Sequence, residues 1–186
     1  VSGAIGKEKI HYEAPAAKRL NREMKIFLDW FNGDVSDKKA VDPVLKAGLA
    51  HLWFVTIHPF DDGNGRIARA IADMALARSE QNAQRFYSMS AQIRQERKDY
   101  YDLLERTQKG SMDVTDWLEW FLECLSRAID NAEETLSGVL YKAQFWERLS
   151  SQPLNERQRS IINRLLDGFE GNLTTSKWAK LTKCSQ

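Results

Sequence analysis

The chain has 186 residues, 42% of them hydrophobic, which is enough apolar material for one well-buried domain with a small appendage. Its 27 Lys and Arg residues balance 26 Asp and Glu residues, and a net charge of +1 gives no electrostatic reason to expect a nucleic-acid or membrane-surface partner. No apolar run is long enough to span a bilayer, and the two distant cysteines favour a reducing compartment such as the cytoplasm.

A loosely alternating segment opens the chain. Gly3 and Gly6 precede Ile10, His11 and Tyr12, and this pattern predicts a short β-hairpin, or flap, over residues 1–15. We expect His11 to lie on its surface. No later stretch shows strand periodicity, so the rest of the chain is predicted to be helical.

Three helices are predicted around a polar loop. The first covers residues 15–32. The second is capped by Asp42 and ends before Pro59, because proline disfavours helical geometry in the residue that precedes it. The third begins near Arg66. The face of this third helix that is predicted to be buried consists of Ile67, Ala70, Ile71 and Met74.

Two longer helical stretches follow. Ser90 is predicted to cap a helix that ends at Gly110, and Asp113 to cap a long helix over residues 114–149. Cys124 lies in an apolar part of the long helix, so we predict a buried free thiol. The tryptophans at helical spacing are interpreted as packing residues: Trp117, Trp120 and Trp146.

The C-terminal segment has a different organisation. After a polar connection over residues 150–155, Asn155 is predicted to cap one helix, and a short second helix covers residues 175–183. Two short helices of this kind resemble the start of a winged-helix or helix-turn-helix module. We therefore predict a mainly α domain at residues 1–149 and the truncated start of a second module at 150–186. Because the chain starts at Val1 and ends abruptly, we expect it to be a piece of a longer protein.

The most informative segment is HPFDDGNGRIAR, at residues 58–69. Gly63 and Gly65 flank Asn64, so the backbone there can turn its N–H groups inward around a small anion. A helix follows directly, and its N-terminal N–H groups and dipole favour a bound phosphate. These features predict a phosphate-binding turn.

Charged side chains of the same segment add reactive groups to this turn. Arg66 and Arg69 lie three residues apart on one helix face, so both can grip one polyphosphate with their forked donors. Asp62 offers a carboxylate oxygen to Mg²⁺, which often takes one or two carboxylates and completes its shell with phosphate and water. His58 can accept a proton from an incoming hydroxyl near neutral pH.

Together these residues predict phosphoryl chemistry. The turn and the arginines would hold the β- and γ-phosphates, while the metal bridges the α- and β-phosphates. His58 would activate an external hydroxyl for in-line attack on the α-phosphorus, and pyrophosphate would leave. Phe60, the one apolar member of the loop, is predicted to anchor the loop in the core, and Asp61 to face solvent.

Other interpretations of the loop and its neighbours fit less well. A calcium loop that began at Asp61 would need a glutamate at residue 72, which is alanine, and no Gly-Lys-Ser/Thr of a Walker loop occurs. His51 lies on a helix that packs into the core and is interpreted as a hydrogen-bonded structural histidine. Arg94, Arg97 and Lys98 alternate with acidic residues, which is typical of a solvated helix face.

Residues 58–69 resemble the Fic motif, His-x-Phe-x-(Asp/Glu)-Gly-Asn-Gly-Arg-x-x-Arg, at every fixed position. The resemblance extends to AHLWFVTI at residues 50–57 and IHYEAP at residues 10–15, which look like bacterial Fic proteins with a C-terminal winged helix. It implies a helical Fic fold over residues 1–149, with a catalytic base, a Mg²⁺ ligand and an ATP-phosphate site. The residues that match those roles are His58, Asp62, Gly63, Asn64, Gly65, Arg66 and Arg69.

The same resemblance implies how targets dock and how activity is restrained. In that family the flap pairs with an extended segment of the target protein by strand addition, which here would involve Gly3 to Tyr12. An inhibitory helix with the pattern Ser/Thr-x-x-x-Glu-(Gly/Asn) commonly pairs with the second motif arginine. Glu119 and Glu170 both lack the rest of that pattern. We therefore expect the inhibitory segment upstream of Val1 or on a partner such as an antitoxin.

The function implied is that of a protein adenylyltransferase, which moves AMP from ATP to a Ser, Thr or Tyr hydroxyl with Mg²⁺. The loop residues leave open the reverse reaction, de-AMPylation, and the use of another nucleotide. Two alternatives of a different class also stay open: a nucleotide-responsive regulator that contacts DNA through its C-terminal module, and the toxin of a toxin–antitoxin pair.

Overall fold

The computed structural model describes residues 12–33, 41–81 and 85–182. These ranges contain eight helices and no strand, so the predicted mainly α class is confirmed. Residues 12–16 are irregular, and the other residues of the predicted hairpin, which include Gly3, Gly6, Ile10 and His11, lie outside the described residues. No helix in the described ranges is both long enough and apolar enough to cross a membrane. The helices are α1 Ala17–Asn32, α2 Pro43–Ile57, α3 Asn64–Glu80, α4 Met89–Gln95, α5 Arg97–Lys109, α6 Thr115–Arg148, α7 Glu156–Leu166 and α8 Thr175–Thr182.

Helix α2 lies at the centre of the core. Its sequence is apolar on all sides, as expected for a helix that is surrounded by others. Asp42 caps it as predicted, because its carboxylate accepts the N–H groups of Val44 and Leu45 at 2.8 and 3.2 Å. On one side, Phe27 of α1 places its ring centroid 5.9 Å from that of Phe54.

The long helix α6 covers another side of α2. Trp117 is fully buried, and its indole N–H donates to the carbonyl of Gly48 at 2.9 Å. The predicted cap is confirmed, since the Asp113 carboxylate accepts the N–H of Thr115 at 2.9 Å. Cys124 is a buried free cysteine, also as predicted, and burial raises the pKa of its thiol to about 12.

Helix α3 buries only part of the face that was predicted: Ile67 and Ile71 pack partly buried against the core, whereas Ala70 is exposed. The sequence pattern favoured a face with Met74 at its end, but Met74 is 42% exposed. The buried residues are instead Asn64, Ala68, Ala72, Ala75 and Leu76. Alanines on the buried face let α3 approach α2 closely.

The segment before Gly110 forms two helices where one was predicted. Ser88, and not Ser90, caps α4 by accepting the N–H of Ala91 at 3.2 Å. The chain then breaks at Glu96 and restarts as α5. Glu96 lies at the break because both of its carboxylate oxygens accept hydrogen bonds from Arg127 of α6, each at 2.7 Å.

The chain divides into two compact units between Glu133 and Glu134, a point inside α6. In the second unit, Asn155 caps α7 as predicted and forms a capping box with Gln158. Trp146 donates its indole N–H to the Asn163 side chain at 3.1 Å. The winged-helix assignment and the domain boundary at residue 149 stay predictions.

Candidate active site

His58 occupies a strained backbone position at the end of α2. Its φ and ψ are 52° and 56°, in the left-handed region that non-glycine residues rarely adopt. The residue precedes Pro59, which disfavours continued helical geometry, and its N–H still donates to the carbonyl of Phe54 at 3.1 Å. Strained positions of this kind concentrate at functional sites. The His58 side chain is exposed.

The His58 ring has one nitrogen placed for a backbone contact. Its Nδ1 lies 3.4 Å from the carbonyl oxygen of Val55. Because a carbonyl only accepts hydrogen bonds, this contact selects the tautomer in which Nδ1 carries the proton. The Nε2 lone pair is then the position at which the ring can take up a proton.

Asn64 holds the loop between α2 and α3 in place. Its side-chain oxygen accepts the N–H of Phe60 at 3.0 Å, and its side-chain nitrogen donates to the carbonyl of the same residue at 2.5 Å. Asn64 is only 2% exposed. The amide is therefore used inside the protein, and any contact of this residue with a nucleotide is left to its backbone N–H group.

Phe60 does not have the environment that was predicted for it. We expected a ring anchored in the core, but Phe60 is 51% exposed and only approaches Phe54, at 6.4 Å between ring centroids. The loop is anchored instead through the Phe60 backbone, by the buried amide of Asn64.

The first turn of α3 begins two residues earlier than predicted, at Asn64. Gly63 precedes it in the left-handed conformation, with φ of 85°, and supplies no capping side chain. The N–H groups of the first helical residues therefore lack a side-chain cap and can bind an anion. Two guanidinium groups lie over this turn. A Cβ on Gly63 would lie 3.4 Å from Nη2 of Arg66, and one on Gly65 would lie 3.6 Å from Nη1 of Arg69.

Asp62 pairs with groups of the same turn. One carboxylate oxygen accepts the N–H of Gly63 at 2.6 Å, and the other lies 2.9 Å from Nη2 of Arg66. The Asp62 side chain is 91% exposed, so water competes with the ion pair and a ligand can reach both partners. No group of three or more metal-ligating side chains occurs among the described residues, and a cation held here would rely on Asp62, phosphate and water.

His58 and the turn face one open cavity. A cavity of about 680 Å³ is lined by both His58 and Gly65. Tyr12, the described end of the predicted flap, lines it as well, together with Tyr101 and Gln108. The base and the start of the phosphate turn, which sequence reasoning assigned to one site, are thus brought to the same space.

Two buried residues beside this cavity, His51 and Tyr100, contact each other. Nε2 of His51 lies 3.1 Å from the hydroxyl oxygen of Tyr100, which confirms that His51 is a hydrogen-bonded core histidine. Complete burial, followed by the positive charge of Arg69, lowers the pKa of His51 to about 3, so the ring is neutral. Tyr100 also lines the cavity. Its hydrogen bond to His51 helps to hold this part of the cavity wall in position.

Sequence reasoning missed a second cavity next to the first. It has a volume of about 390 Å³, and Arg94 and Arg97 line it together with Arg66 and Arg69. Arg94, Arg97 and Lys98 are all exposed, as predicted, and Lys98 pairs with Asp102 at 2.7 Å. The spacing of arginines three residues apart was the available signal, but intervening acidic residues pointed to an ordinary charged surface.

Comparison with known proteins identifies the same segment. Residues 3–76 match the Fic/DOC family. The chain is 34% identical over 116 residues to "Protein adenylyltransferase Fic" of Nematostella vectensis, over 62% of this chain and 25% of that protein. It is 32% identical over 159 residues to the protein of the same name from Drosophila melanogaster, over 81% of this chain and 30% of that protein.

A solved structure has the same fold. The match is a Fic family protein from Desulfovibrio desulfuricans G20, with 24% identity and a TM-score of 0.55, over 93% of this chain and 46% of that one. The chain therefore spans less than half of the Desulfovibrio protein, and 25% and 30% of the Nematostella and Drosophila relatives.

Proposed function

The chain belongs to the Fic/DOC family, and from this premise we propose that it transfers AMP from ATP to a hydroxyl side chain of another protein. One observation carries the proposal: His58 and Gly65 line the same cavity. A base and a phosphate turn that share one space suit the transfer of a phosphate-bearing group to an incoming hydroxyl.

His58 is the general base in this proposal. The Val55 carbonyl favours the tautomer with Nδ1 protonated, and Nε2 accepts the proton of the target hydroxyl. The hydroxyl oxygen then forms a bond to the α-phosphorus of ATP. The bond from that phosphorus to the bridging oxygen breaks, and its electron pair leaves with pyrophosphate.

The start of α3 holds the phosphates. The uncapped N–H groups of Asn64, Gly65 and Arg66 donate to phosphate oxygens, and the guanidinium groups of Arg66 and Arg69 balance their charge. Asp62 fits a Mg²⁺ ion that takes one protein carboxylate and shares the phosphates, because this side chain is exposed and each oxygen keeps a further lone pair. When bound, the metal would offset negative charge on the phosphates.

The target protein is proposed to enter beside Tyr12. This residue lines the cavity that contains His58, which supports a role for the preceding segment as the docking flap. Strand addition would align an extended target segment through backbone hydrogen bonds and would need little sequence recognition. Ser, Thr and Tyr are the acceptor residues that such a site suits.

The test compares His58→Ala with wild type. Labelled ATP and Mg²⁺ are incubated with a cell extract, and label on protein is measured by mass spectrometry; calorimetry gives the affinity for ATP. We expect His58→Ala to lose AMP transfer while it keeps ATP binding. Asp61→Asn, at an exposed variable position of the motif, is the matched control. Undiminished labelling by His58→Ala would refute the assignment.

The same experiment with UTP and GTP separates the nucleotides, and incubation with AMP-modified protein tests the reverse reaction. DNA binding by residues 150–186 and control by an antitoxin or by a segment upstream of Val1 stay predictions, as does a cytoplasmic location. An electrophoretic mobility shift with the full-length protein tests the first of these.

A further inference from the structure

Four arginines surround the second cavity. Arg66 and Arg69 reach it from α3, Arg94 from α4 and Arg97 from α5. No residue that lines this cavity carries a carboxylate. Within the described ranges, no salt bridge engages Arg69, Arg94 or Arg97, and Arg97 makes only a cation–π contact with Tyr101, at 5.6 Å from the ring centroid. The cavity therefore carries positive charge that the protein does not neutralise there.

The acidic residues that alternate with these arginines in sequence lie elsewhere. Glu96 stands between Arg94 and Arg97, but both of its oxygens bind Arg127 of α6. The hydrogen bonds from Arg127 hold the pKa of Glu96 below its usual range, so this carboxylate stays charged and paired. Asp99 lines a separate cavity beside Asp116. In the folded protein, therefore, the arginines line one cavity, and the acidic residues that alternate with them in sequence lie outside it.

The four-arginine cavity adjoins the one that contains His58. Arg97, Tyr100 and Tyr101 line both cavities. A nucleotide whose α-phosphate lies near His58 can extend its β- and γ-phosphates along the first turn of α3 towards the second cavity. The guanidinium groups beyond it are forked donors that suit phosphate oxygens.

We propose that Arg94 and Arg97 join Arg66 and Arg69 in a four-arginine site for a diphosphate group. This inference rests on the proposed function, in which that group is the β- and γ-phosphates of ATP and then the pyrophosphate that leaves. Arg94 and Arg97 are binding residues in this proposal and do not touch the reacting α-phosphorus. They make the site select a triphosphate over a monophosphate, because AMP has no group that reaches them.

The test measures binding of inorganic pyrophosphate, ATP and AMP to the full chain by calorimetry. The variants are Arg94→Gln, Arg97→Gln and the double variant. Arg106→Gln is the matched control, since Arg106 lies on α5, pairs with Asp116 at 3.0 Å and does not line the four-arginine cavity. All single variants remove the same charge, so a non-specific electrostatic effect would appear in the control as well.

We expect each cavity variant to weaken pyrophosphate and ATP binding by about fivefold to tenfold, as for a partly exposed charge-assisted contact. The double variant should lose more, while AMP binding and the Arg106→Gln control change by less than about twofold. Unchanged affinity for pyrophosphate in the double variant would overturn the site. Weaker pyrophosphate binding with unchanged ATP binding would overturn the link to the nucleotide.

The outcome is separable from that of the proposed function. Pyrophosphate binding is measured without any transfer reaction, so an active enzyme with an unaltered double variant refutes this inference alone. An inactive wild-type protein whose pyrophosphate affinity depends on Arg94 and Arg97 would refute the proposed transfer and retain the anion site.

Discussion

The buried imidazole of His51 makes the stability of the fold depend on pH. The folded-state pKa of about 3 lies well below the value of about 6.5 expected in an unfolded chain. As the pH falls below about 6.5, the unfolded chain therefore binds a proton that the folded protein excludes. The contribution of this group to stability is fully present above that pH and is lost as the pH falls towards 3.

The size of the effect follows from the two pKa values. At pH 5.5, about one unit below the unfolded pKa, protonation stabilises the unfolded chain by about 1.4 kcal/mol. The folded protein is not stabilised by protonation at this pH, because His51 is fully buried and still neutral. Its Nδ1 has no hydrogen-bond partner among the described residues, so the second N–H of a charged ring would have no acceptor there.

The assay compares wild type with His51→Gln by urea unfolding at pH 7.5 and 5.5. Glutamine offers a neutral polar group to the Tyr100 hydroxyl and does not titrate, so other ionisable groups cancel in the comparison. We expect the stability advantage of wild type over the variant to shrink by about 1.4 kcal/mol between the two pH values. A difference that does not change with pH would show that His51 titrates alike in both states and would refute the reasoning.

Two further predictions concern the turn before α3. Asn64→Ala should lower the free energy of unfolding by about 1–3 kcal/mol, because it leaves the N–H and carbonyl of Phe60 without partners. Urea unfolding measures this change, and an unchanged urea midpoint would contradict the prediction. Gly63→Ala should cost about 1–2 kcal/mol, since alanine resists the left-handed backbone, whereas Gly65→Ala, whose backbone is helical, should cost nothing in the same thermal or urea melts. Equal losses in the two glycine variants would argue against backbone strain at Gly63.

Contacts between residues that are only a few positions apart in the sequence were predictable. Asp42 and Asn155 cap their helices as expected, because a cap joins a side chain to N–H groups only two or three positions away. The motif at residues 58–69 is equally local. One turn separates His58 from Gly63 and Gly65, so their proximity follows from chain length alone.

Tertiary packing decided what local patterns left open. The core buried Ala68, Ala72 and Leu76 of α3 and left Met74 exposed. The Phe60 ring stayed at the surface, and the loop is anchored through the Phe60 backbone by the Asn64 amide. Neither choice can be read from apolar periodicity, which reports that a face is buried and not which neighbour it must fit.

The sequence by itself determined the helical class and the closeness of His58 to Gly63 and Gly65, because these follow from short-range periodicity and from one contiguous motif. Only the tertiary structure decided which groups the charged residues of α4 and α5 contact. Arg127 draws Glu96 to one side of the helix break and leaves Arg94 and Arg97 facing α3. That separation depends on a partner 31 positions along the chain, and no pattern within one helix can specify it.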